Sequence, residues 1–412
     1  MRRSLLYWML ALGGCLLLSG CAFRENSPAV QETAVPESSS AVSPAGKSPD
    51  NAEDAPQDIS ELLEGMTLRE KVGQLFLVRP DALDPAKTQQ QINDTDAVGV
   101  TVLSDAMRDT LDRYPVGGVV LFGKNLTDPE QLSGFTARLH DAGGVPLLIA
   151  VDEEGGAVAR LANHPGFDDL PDYPSAAQVA AGGADAVYEM SVSIGSYLKA
   201  YGIDLDFAPV ADVNTNPDNP IIGDRAFSED PQQAAELVSA AVKGFHDGGV
   251  LCCLKHYPGH GDTAEDSHKD LAVTQKDWQQ LLDCELVPFR AGIDAGADLV
   301  MAGHIAAPGV TGEDTPASLS PELLESLRQE LEFDGVIVTD SLAMEGITKQ
   351  YSPAQAAVLA VQAGADILLM PDDLAESFDE VVAAVEEGTI PESRVDESVA
   401  RILALKQECG LI

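Results

Sequence analysis

Basic residues are scarce in this sequence. Its 412 residues contain 25 Lys and Arg against 67 Asp and Glu, which gives a formal net charge of −42. A surface of this sign repels polyanions, and we therefore expect no nucleic-acid partner. A strongly acidic charge is instead typical of a surface that keeps its protein soluble.

Cysteine is also sparse, with six residues. Cys252 and Cys253 are adjacent, so their Cα atoms lie about 3.8 Å apart. That separation is below the usual range for a disulfide, and we interpret both as core residues. Cys284 and Cys409 could pair, although nothing in the sequence requires it. Cysteine usage therefore predicts no particular fold.

Residues 1–20 are predicted to be a signal peptide. Arg2 and Arg3 precede an apolar stretch, Leu5 to Leu18, that is too short for a stable membrane span. An uncleaved anchor helix is the alternative. The following Leu-Ser-Gly-Cys21 resembles the lipobox of bacterial lipoproteins. That resemblance implies lipidation of Cys21 and an extracytoplasmic protein held at the bacterial cell membrane by its lipid anchor only.

Residues 21–57 are predicted to be a disordered tether. They are rich in Ser, Pro, Ala and Glu and poor in large apolar side chains, so they cannot bury enough surface to fold. Residues 58–412 are predicted to form the folded part. One large α/β barrel accommodates that length, and so would two ordinary domains.

The folded region repeats a short apolar run followed by a helical stretch. Several runs are apolar on both faces, as a parallel sheet that is covered on both sides requires. Eight such units predict a (β/α)8 TIM barrel. A doubly wound sheet is the alternative, but no Gly-rich dinucleotide loop opens a helix after the first run. The runs are Gln74–Val78, Gly118–Phe122, Leu147–Val151, Ile203–Val210, Val250–Leu254, Asp298–Ala302, Gly335–Thr339 and Asp366–Met370.

Helical stretches lie between these runs. Two of them begin with a capping residue followed by proline, Asp230-Pro231 and Ser320-Pro321. The predicted helices include Asp230–Asp247, Gln275–Ala295, Pro321–Leu331 and Pro353–Ala363.

Polar side chains follow five of the runs. Because the chemistry of such barrels lies at the carboxyl ends of their strands, we expect these side chains to gather at one rim. Asp340 could be a nucleophile, a base, a metal ligand or simply the N-cap of the next helix. The side chains at the strand ends are Asp152, Asp212, Lys255, His256, His304 and Asp340.

The loop after the fifth run concentrates ionisable groups. Asp266 and His268 are two residues apart, so the carboxylate could orient the imidazole, raise its pKa and suit it to proton donation. A solvated loop with a stray histidine is the alternative. The loop could also ligate a metal. Because the sequence has no His-Glu-x-x-His helix and no paired-cysteine knuckle, we expect no metal.

The segment from Lys255 to His268, KHYPGHGDTAEDSH, resembles the signature of family 3 glycoside hydrolases. The resemblance is to the single-barrel β-N-acetylhexosaminidase subgroup. It extends, in the same order, over VDEEGGAVARL, DLDFAPVADV, IGDRAF and FDGVIVTDSLAM. It implies a retaining exo-glycosidase, specifically a β-N-acetylglucosaminidase, that needs no cofactor. The implied substrates carry terminal β-N-acetylglucosamine on peptidoglycan fragments or chitooligosaccharides.

The resemblance also implies roles for individual residues. Asp340 would be the nucleophile, His268 the proton donor and Asp266 the partner of His268. The hydroxyl groups of the terminal sugar would be held by Asp152, Arg160, Arg225, Lys255 and His256.

Each cationic residue also has a simpler interpretation. Arg225 could form a salt bridge near Asp224, and Lys255 could pair with Asp212. A β-glucosidase or a phosphorylase of the same family is one rival function. A non-catalytic sugar-binding lipoprotein is another.

The sequence departs from the subgroup pattern in two places. Glu153 and Ala157 stand where the subgroup typically has Gln and Arg, which predicts a change at the rim of the sugar pocket. The stretch Arg79–Pro115 resembles an insertion and could shape the aglycone side.

Overall fold

The computed structural model describes residues 58–264 and 271–412. The predicted signal peptide and tether, the lipidation site Cys21, and both Asp266 and His268 lie outside the described residues. Within the described residues, no helix is long and apolar enough to cross a membrane.

Eight parallel strands form the central sheet of the described residues. The strands are β1 (Phe76–Val78), β2 (Gly118–Val120), β3 (Leu148–Val151), β4 (Leu205–Asp206), β5 (Leu251–Tyr257), β6 (Leu299–Ala302), β7 (Val336–Thr339) and β8 (Leu368–Leu369). Their order in the sheet is β7-β6-β5-β4-β3-β2-β1-β8. A parallel bridge between Val338 on β7 and Ile367 beside β8 brings the two edges together. The sheet therefore closes into the predicted (β/α)8 barrel. Each strand lies within one of the eight apolar runs except β5, which continues beyond its run to Tyr257.

Helices surround the barrel and connect each strand to the next. The α-helices of the described residues are α1 (Ile59–Gly65), α2 (Leu68–Gln74), α3 (Gln89–Asn93), α4 (Asp105–Arg113), α5 (Pro129–His140), α6 (Ala176–Ala180), α7 (Ala184–Ala200), α8 (Pro231–Gly248), α9 (Trp278–Asp283), α10 (Leu286–Asp294), α11 (Pro308–Thr311), α12 (Pro321–Gln329), α13 (Glu345–Thr348), α14 (Pro353–Ala363), α15 (Leu374–Glu386) and α16 (Glu392–Glu408). Two short strand pairs, Glu153–Gly155 with Val158–Ala159 and Ala272–Val273 with Ile305–Ala306, lie outside the barrel sheet.

The predicted capping residues act as expected. The Asp230 side chain accepts from the Gln233 backbone N–H at the start of α8, and Ser320 does the same for Leu323 at the start of α12. The predicted helix Gln275–Ala295 is wrong in one respect, because it is broken into α9 and α10. Pro288 lies in the first turn of α10, where its missing N–H needs no partner, whereas in one continuous helix it would leave the Cys284 carbonyl without a donor.

Three aspartates at the amino ends of the strands repeat one arrangement. Each precedes an even-numbered strand, accepts a backbone N–H from the preceding odd-numbered strand, and pairs with a side chain from the last turn of a helix. Each aspartate thereby ties two strands to a helix at the base of the barrel. The sets are Asp204 with Ile149 and His140, Asp298 with Cys252 and His246, and Asp366 with Ile337 and Arg328.

Candidate active site

A pocket of about 400 Å³ lies at the carboxyl ends of the strands. Six of the residues that the sequence assigned to the site line it, which brings together side chains from β3, β5, β7 and the loop after β4. They are Asp152, Arg160, Arg225, Lys255, His256 and Asp340.

Lys255 is the centre of the charged cluster in this pocket. Its Nζ lies 2.8 Å from Asp152 Oδ1 and 2.7 Å from Glu154 Oε1. Arg225 binds Glu154 through two bonds, Nε–Oε2 at 2.9 Å and Nη2–Oε1 at 2.7 Å. Arg160 Nη2 donates to Asp152 Oδ2 at 3.2 Å. Two carboxylates and three cations thus form one continuous network.

In this network the neighbouring charges shift the pKa values more than burial does. Burial raises the pKa of Asp152, but the charges of Lys255 and Arg160 hold it well below its usual range. Burial likewise raises the pKa of Glu154, and Lys255 and Arg225 lower it to about 2. Burial lowers the pKa of Lys255, and the two carboxylates raise it above its usual value. Asp152, Glu154 and Lys255 are therefore charged at neutral pH, which suits them to hold polar groups.

The partners of the two cations differ from the simpler interpretations of the sequence. Lys255 pairs with Asp152 and Glu154 and not with Asp212, and Arg225 pairs with Glu154 and not near Asp224. Glu154 lines the pocket but was missed by sequence reasoning. The strand Glu153–Gly155 alternates its side chains, and that alternation was the signal that could have found it.

Glu153 faces away from the pocket. It is fully buried and accepts hydrogen bonds from the backbone N–H groups of Leu161 and Ala162 and from the Tyr197 hydroxyl, at 2.8, 2.9 and 2.8 Å. The prediction that Glu153 changes the rim of the sugar pocket is therefore wrong. Its carboxylate instead fixes the turn that carries Arg160.

Asp212 orients two histidines. Its Oδ2 lies 2.8 Å from His256 Nδ1, and its Oδ1 accepts the backbone N–H of His256 at 3.2 Å and of His260 at 2.7 Å. Burial raises the pKa of Asp212, but His256 lowers it below its usual value. A charged Asp212 holds the Nδ1 side of His256 and leaves Nε2 as the ring atom to meet a ligand.

Asp340 stands at the end of β7. Its Oδ1 accepts the Ser341 backbone N–H at 2.7 Å. The turn beneath it is held by His304, whose Nε2 lies 2.8 Å from the Ser341 carbonyl and whose Nδ1 lies 2.8 Å from Ser318 Oγ. His304 is thus a buried support for the turn, while Asp340 lines the pocket.

The two glycines before the predicted acid loop serve different needs. Gly259 has a φ of +124°, which favours glycine. At Gly261 the requirement is close approach, because a Cβ there would lie 1.9 Å from the Val213 carbonyl oxygen. That contact docks the chain after β5 onto the chain after β4. The predicted dyad of Asp266 and His268 follows directly, outside the described residues.

Metal-ligating groups within the described residues gather away from this pocket. His246, Cys252 and Asp298 form a set whose ligand atoms lie within 4.8 Å of one another. They lie at the amino ends of the strands, where His246 and Asp298 repeat the arrangement of His140 and Asp204. Cys284 and Cys409, a possible disulfide in the sequence, are free thiols.

The stretch Arg79–Pro115 contributes one wall of the pocket. Arg79, Asn93 and Thr95 line it beside Phe122. The Arg79 guanidinium lies 5.1 Å from the centroid of the Phe122 ring, and its Nη1 donates to Asn93 Oδ1 at 3.1 Å. Sequence reasoning assigned no role to Arg79, because its place in the site depends on this packing.

Comparison with known proteins places the chain in a family. The family description "Glycosyl hydrolase family 3 N terminal domain" matches residues 67–405. A beta-hexosaminidase of Xylella fastidiosa (strain 9a5c) is 40% identical over 279 residues, 66% of this chain and 81% of its own. Beta-hexosaminidase A of Pseudoalteromonas piscicida is 34% identical over 333 residues, 74% of this chain. The match spans only 56% of that longer relative.

A solved structure agrees with these sequence relatives. The glycoside hydrolase family 3 beta-N-acetylglucosaminidase from Paenibacillus sp. str. FPU-7 superposes with a TM-score of 0.75 and 40% sequence identity. The superposition covers 84% of this chain and 63% of that one. The closed parallel barrel, the charged pocket at its carboxyl rim and these matches lead to one conclusion: the chain belongs to glycosyl hydrolase family 3.

Proposed function

We propose that the protein is a retaining, exo-acting β-N-acetylhexosaminidase that hydrolyses terminal β-N-acetylglucosamine. The observation that carries the proposal is the position of Asp340, a carboxylate at the end of β7 in the same pocket as the Asp152–Lys255–Glu154–Arg225 network. The names of the relatives support the same activity. The proposed natural substrates are peptidoglycan fragments or chitooligosaccharides.

The proposed mechanism has two steps. Asp340 attacks the anomeric carbon and forms a covalent glycosyl-enzyme while an acid protonates the leaving oxygen. Water then attacks the same carbon, activated by that acid in its deprotonated form, and restores Asp340. We propose His268, paired with Asp266, as the acid and base.

The charged network and the oriented histidine would hold the sugar during both steps. Asp152 and Glu154 are ionised acceptors for hydroxyl hydrogens, and Lys255, Arg160 and Arg225 are donors. Because their mutual contacts fix the five side chains before substrate arrives, little freedom is lost on binding. Asp212 gives His256 the same preorganisation.

Replacing Asp340 by Asn tests the proposed activity. The variant keeps the side-chain shape but removes the nucleophile, so release of nitrophenol from 4-nitrophenyl N-acetyl-β-glucosaminide should fall at least about a thousandfold. Asp334→Asn is the matched control, because Asp334 is exposed at the opposite end of β7. Retained turnover in Asp340→Asn would refute the mechanism.

A panel of aryl glycosides separates the rival activities. We expect N-acetylglucosaminides to be cleaved faster than glucosides or N-acetylgalactosaminides. The reaction is run with and without phosphate, and the sugar product is identified. Free N-acetylglucosamine in both conditions supports hydrolysis, whereas sugar 1-phosphate identifies a phosphorylase. Binding without any turnover would identify a non-catalytic sugar-binding protein.

We also propose that the protein is a lipoprotein at the outer face of the bacterial cell membrane. The Leu-Ser-Gly-Cys21 sequence supports this location. Cys21→Ala should abolish incorporation of labelled fatty acid and release the protein from the membrane fraction. An unchanged distribution would contradict the proposal.

A further inference from the structure

The strand order divides the pocket into two sides. Asp340 follows β7, while Arg79, Phe122 and Asp152 follow the neighbouring strands β1, β2 and β3. In a closed ring of eight strands, β3 lies opposite β7, and β2 lies next to β3. A pyranose whose C1 meets Asp340 therefore directs the far side of its ring, C3 and C4, at the arc formed by β1, β2 and β3.

Two guanidinium groups flank one aromatic ring on this arc. Arg79 Cζ lies 5.1 Å and Arg160 Cζ 5.2 Å from the centroid of the Phe122 ring. The contacts hold both groups in place, because a cation is attracted to the face of an aromatic ring. Arg160 is fixed further by Asp152, and Arg79 by Asn93.

The bonding of these two arginines is incomplete. Arg79 Nε and Arg160 Nε are both buried and lack a hydrogen-bond partner among residues 58–264 and 271–412. Buried donors of this kind are rare, since an unmade hydrogen bond is costly. Both residues line the pocket, so their guanidinium groups border the space that a hydroxyl-bearing ligand would fill.

The wall that carries Arg79 is anchored to the barrel rim. Lys124 Nζ donates to the carbonyl oxygens of Gln91, Ile92 and Asp94 at 3.0, 2.8 and 3.0 Å. Asn93 Nδ2 in turn donates to Asp372 Oδ1 at 2.6 Å. The segment around α3 is thus tied to the loop after β2 and to the loop after β8, and it forms the wall of the pocket above β1.

We infer that Arg79 is a specificity-determining residue that donates from its guanidinium group to the C3 or C4 hydroxyl of the terminal sugar. The inference rests on the proposed function, because that function puts C1 of the sugar at Asp340. A further sugar on that hydroxyl would point towards the wall around α3, which borders the pocket there. Recognition by Arg79 therefore selects a free non-reducing end, and the stretch Arg79–Pro115 shapes the glycone side of the pocket.

Binding of the product sugar tests this inference without relying on turnover. Calorimetry with the full chain measures the Kd of N-acetylglucosamine and of its 3-deoxy and 4-deoxy analogues. The wild type should bind at least one deoxy analogue about tenfold more weakly than the parent sugar. Arg79→Lys keeps the positive charge but lacks the planar guanidinium donors, so binding of the parent sugar should weaken by about tenfold and the preference over that analogue should disappear.

Arg113→Met is the matched control. Arg113 belongs to the same stretch and lies 5.0 Å from the Tyr114 ring, but it does not line the pocket. It should bind all three sugars as the wild type does, and a thermal midpoint shows whether each variant is folded. A folded Arg79→Lys variant that keeps the wild-type preference would overturn the inference, as would a wild type that does not bind N-acetylglucosamine. Sugar binding with the expected preference but no aryl-glycoside hydrolysis would refute the proposed function alone.

Discussion

The two ends of the barrel use buried aspartates in different ways. At the amino ends, Asp366 is completely buried and is surrounded by Arg328, Arg394, Arg401 and the hydroxyl of Ser398. At the carboxyl ends, Asp152 and Glu154 are paired just as closely with cations, yet they border a pocket of about 400 Å³.

This difference separates stability from binding. A carboxylate whose partners enclose it on every side can only hold the protein together. One that is ionised beside a cavity also remains available to a ligand, and its partners keep it charged and correctly oriented. Because the same residue types serve both purposes, the position along the strand decides the role.

Asp366→Asn tests the amino end and should have the largest effect on stability. The substitution leaves three arginines around a neutral amide, so the free energy of unfolding should fall by about 3–5 kcal/mol. Urea unfolding measures this loss. The folded fraction should retain the wild-type kcat on the aryl N-acetylglucosaminide. A stable but inactive Asp366→Asn variant would show that the two ends are not separable.

Lys255→Met tests the carboxyl end. It leaves Asp152 and Glu154 without their shared cation, so kcat/KM should fall by about a hundredfold or more in protein that is still folded. Lys349→Met, on an exposed ion pair with Glu345, is the control and should leave activity unchanged. If both variants were equally active, the charged network would have no part in substrate binding.

Much of this division was visible in the sequence. The buried strands are continuous apolar runs, so their ends could be located, and Lys255 and Asp340 follow from that placement alone. Asp298 and Asp366 were included in their runs, but the sequence does not show which helix supplies their partners. Those partners depend on how helices pack, and that information is not local.

Arg79 and Glu154 were missed for the same kind of reason. Glu153 and Glu154 are chemically equivalent neighbours, and only the local strand decides which one faces the pocket. Arg79 directly follows the first apolar run, whereas its partners Asn93 and Phe122 lie later in the sequence. Its contacts form only when α3 docks on the rim. Sequence patterns predict where strands end better than they predict which loop covers them.

Lys406 offers the smallest and most specific test of the amino end. It is fully buried and donates to Gln74 Oε1 and the Pro146 carbonyl, both at 2.7 Å. Burial lowers the pKa of Lys406 from 10.5 to about 7. Between these two values the unfolded chain binds a proton that the folded chain does not. The free energy of unfolding should therefore rise with pH from about 7 to about 10.5, by at most about 1.4 kcal/mol per pH unit.

Lys406→Met removes this contribution because it replaces the amine with an apolar side chain of similar length. The stability difference between wild type and variant, measured by urea unfolding at several pH values above 7, should change in favour of the wild type as pH rises. Lys243→Met, at an exposed position on α8, is the control for loss of a surface lysine. A constant difference for Lys406→Met would mean that the buried amine keeps its proton in the folded protein. In that case Lys406 would be a buried charge without a carboxylate partner at the amino end. The charges of the Lys255 network at the carboxyl end are paired, so the better-paired charges would lie at the binding end of the barrel.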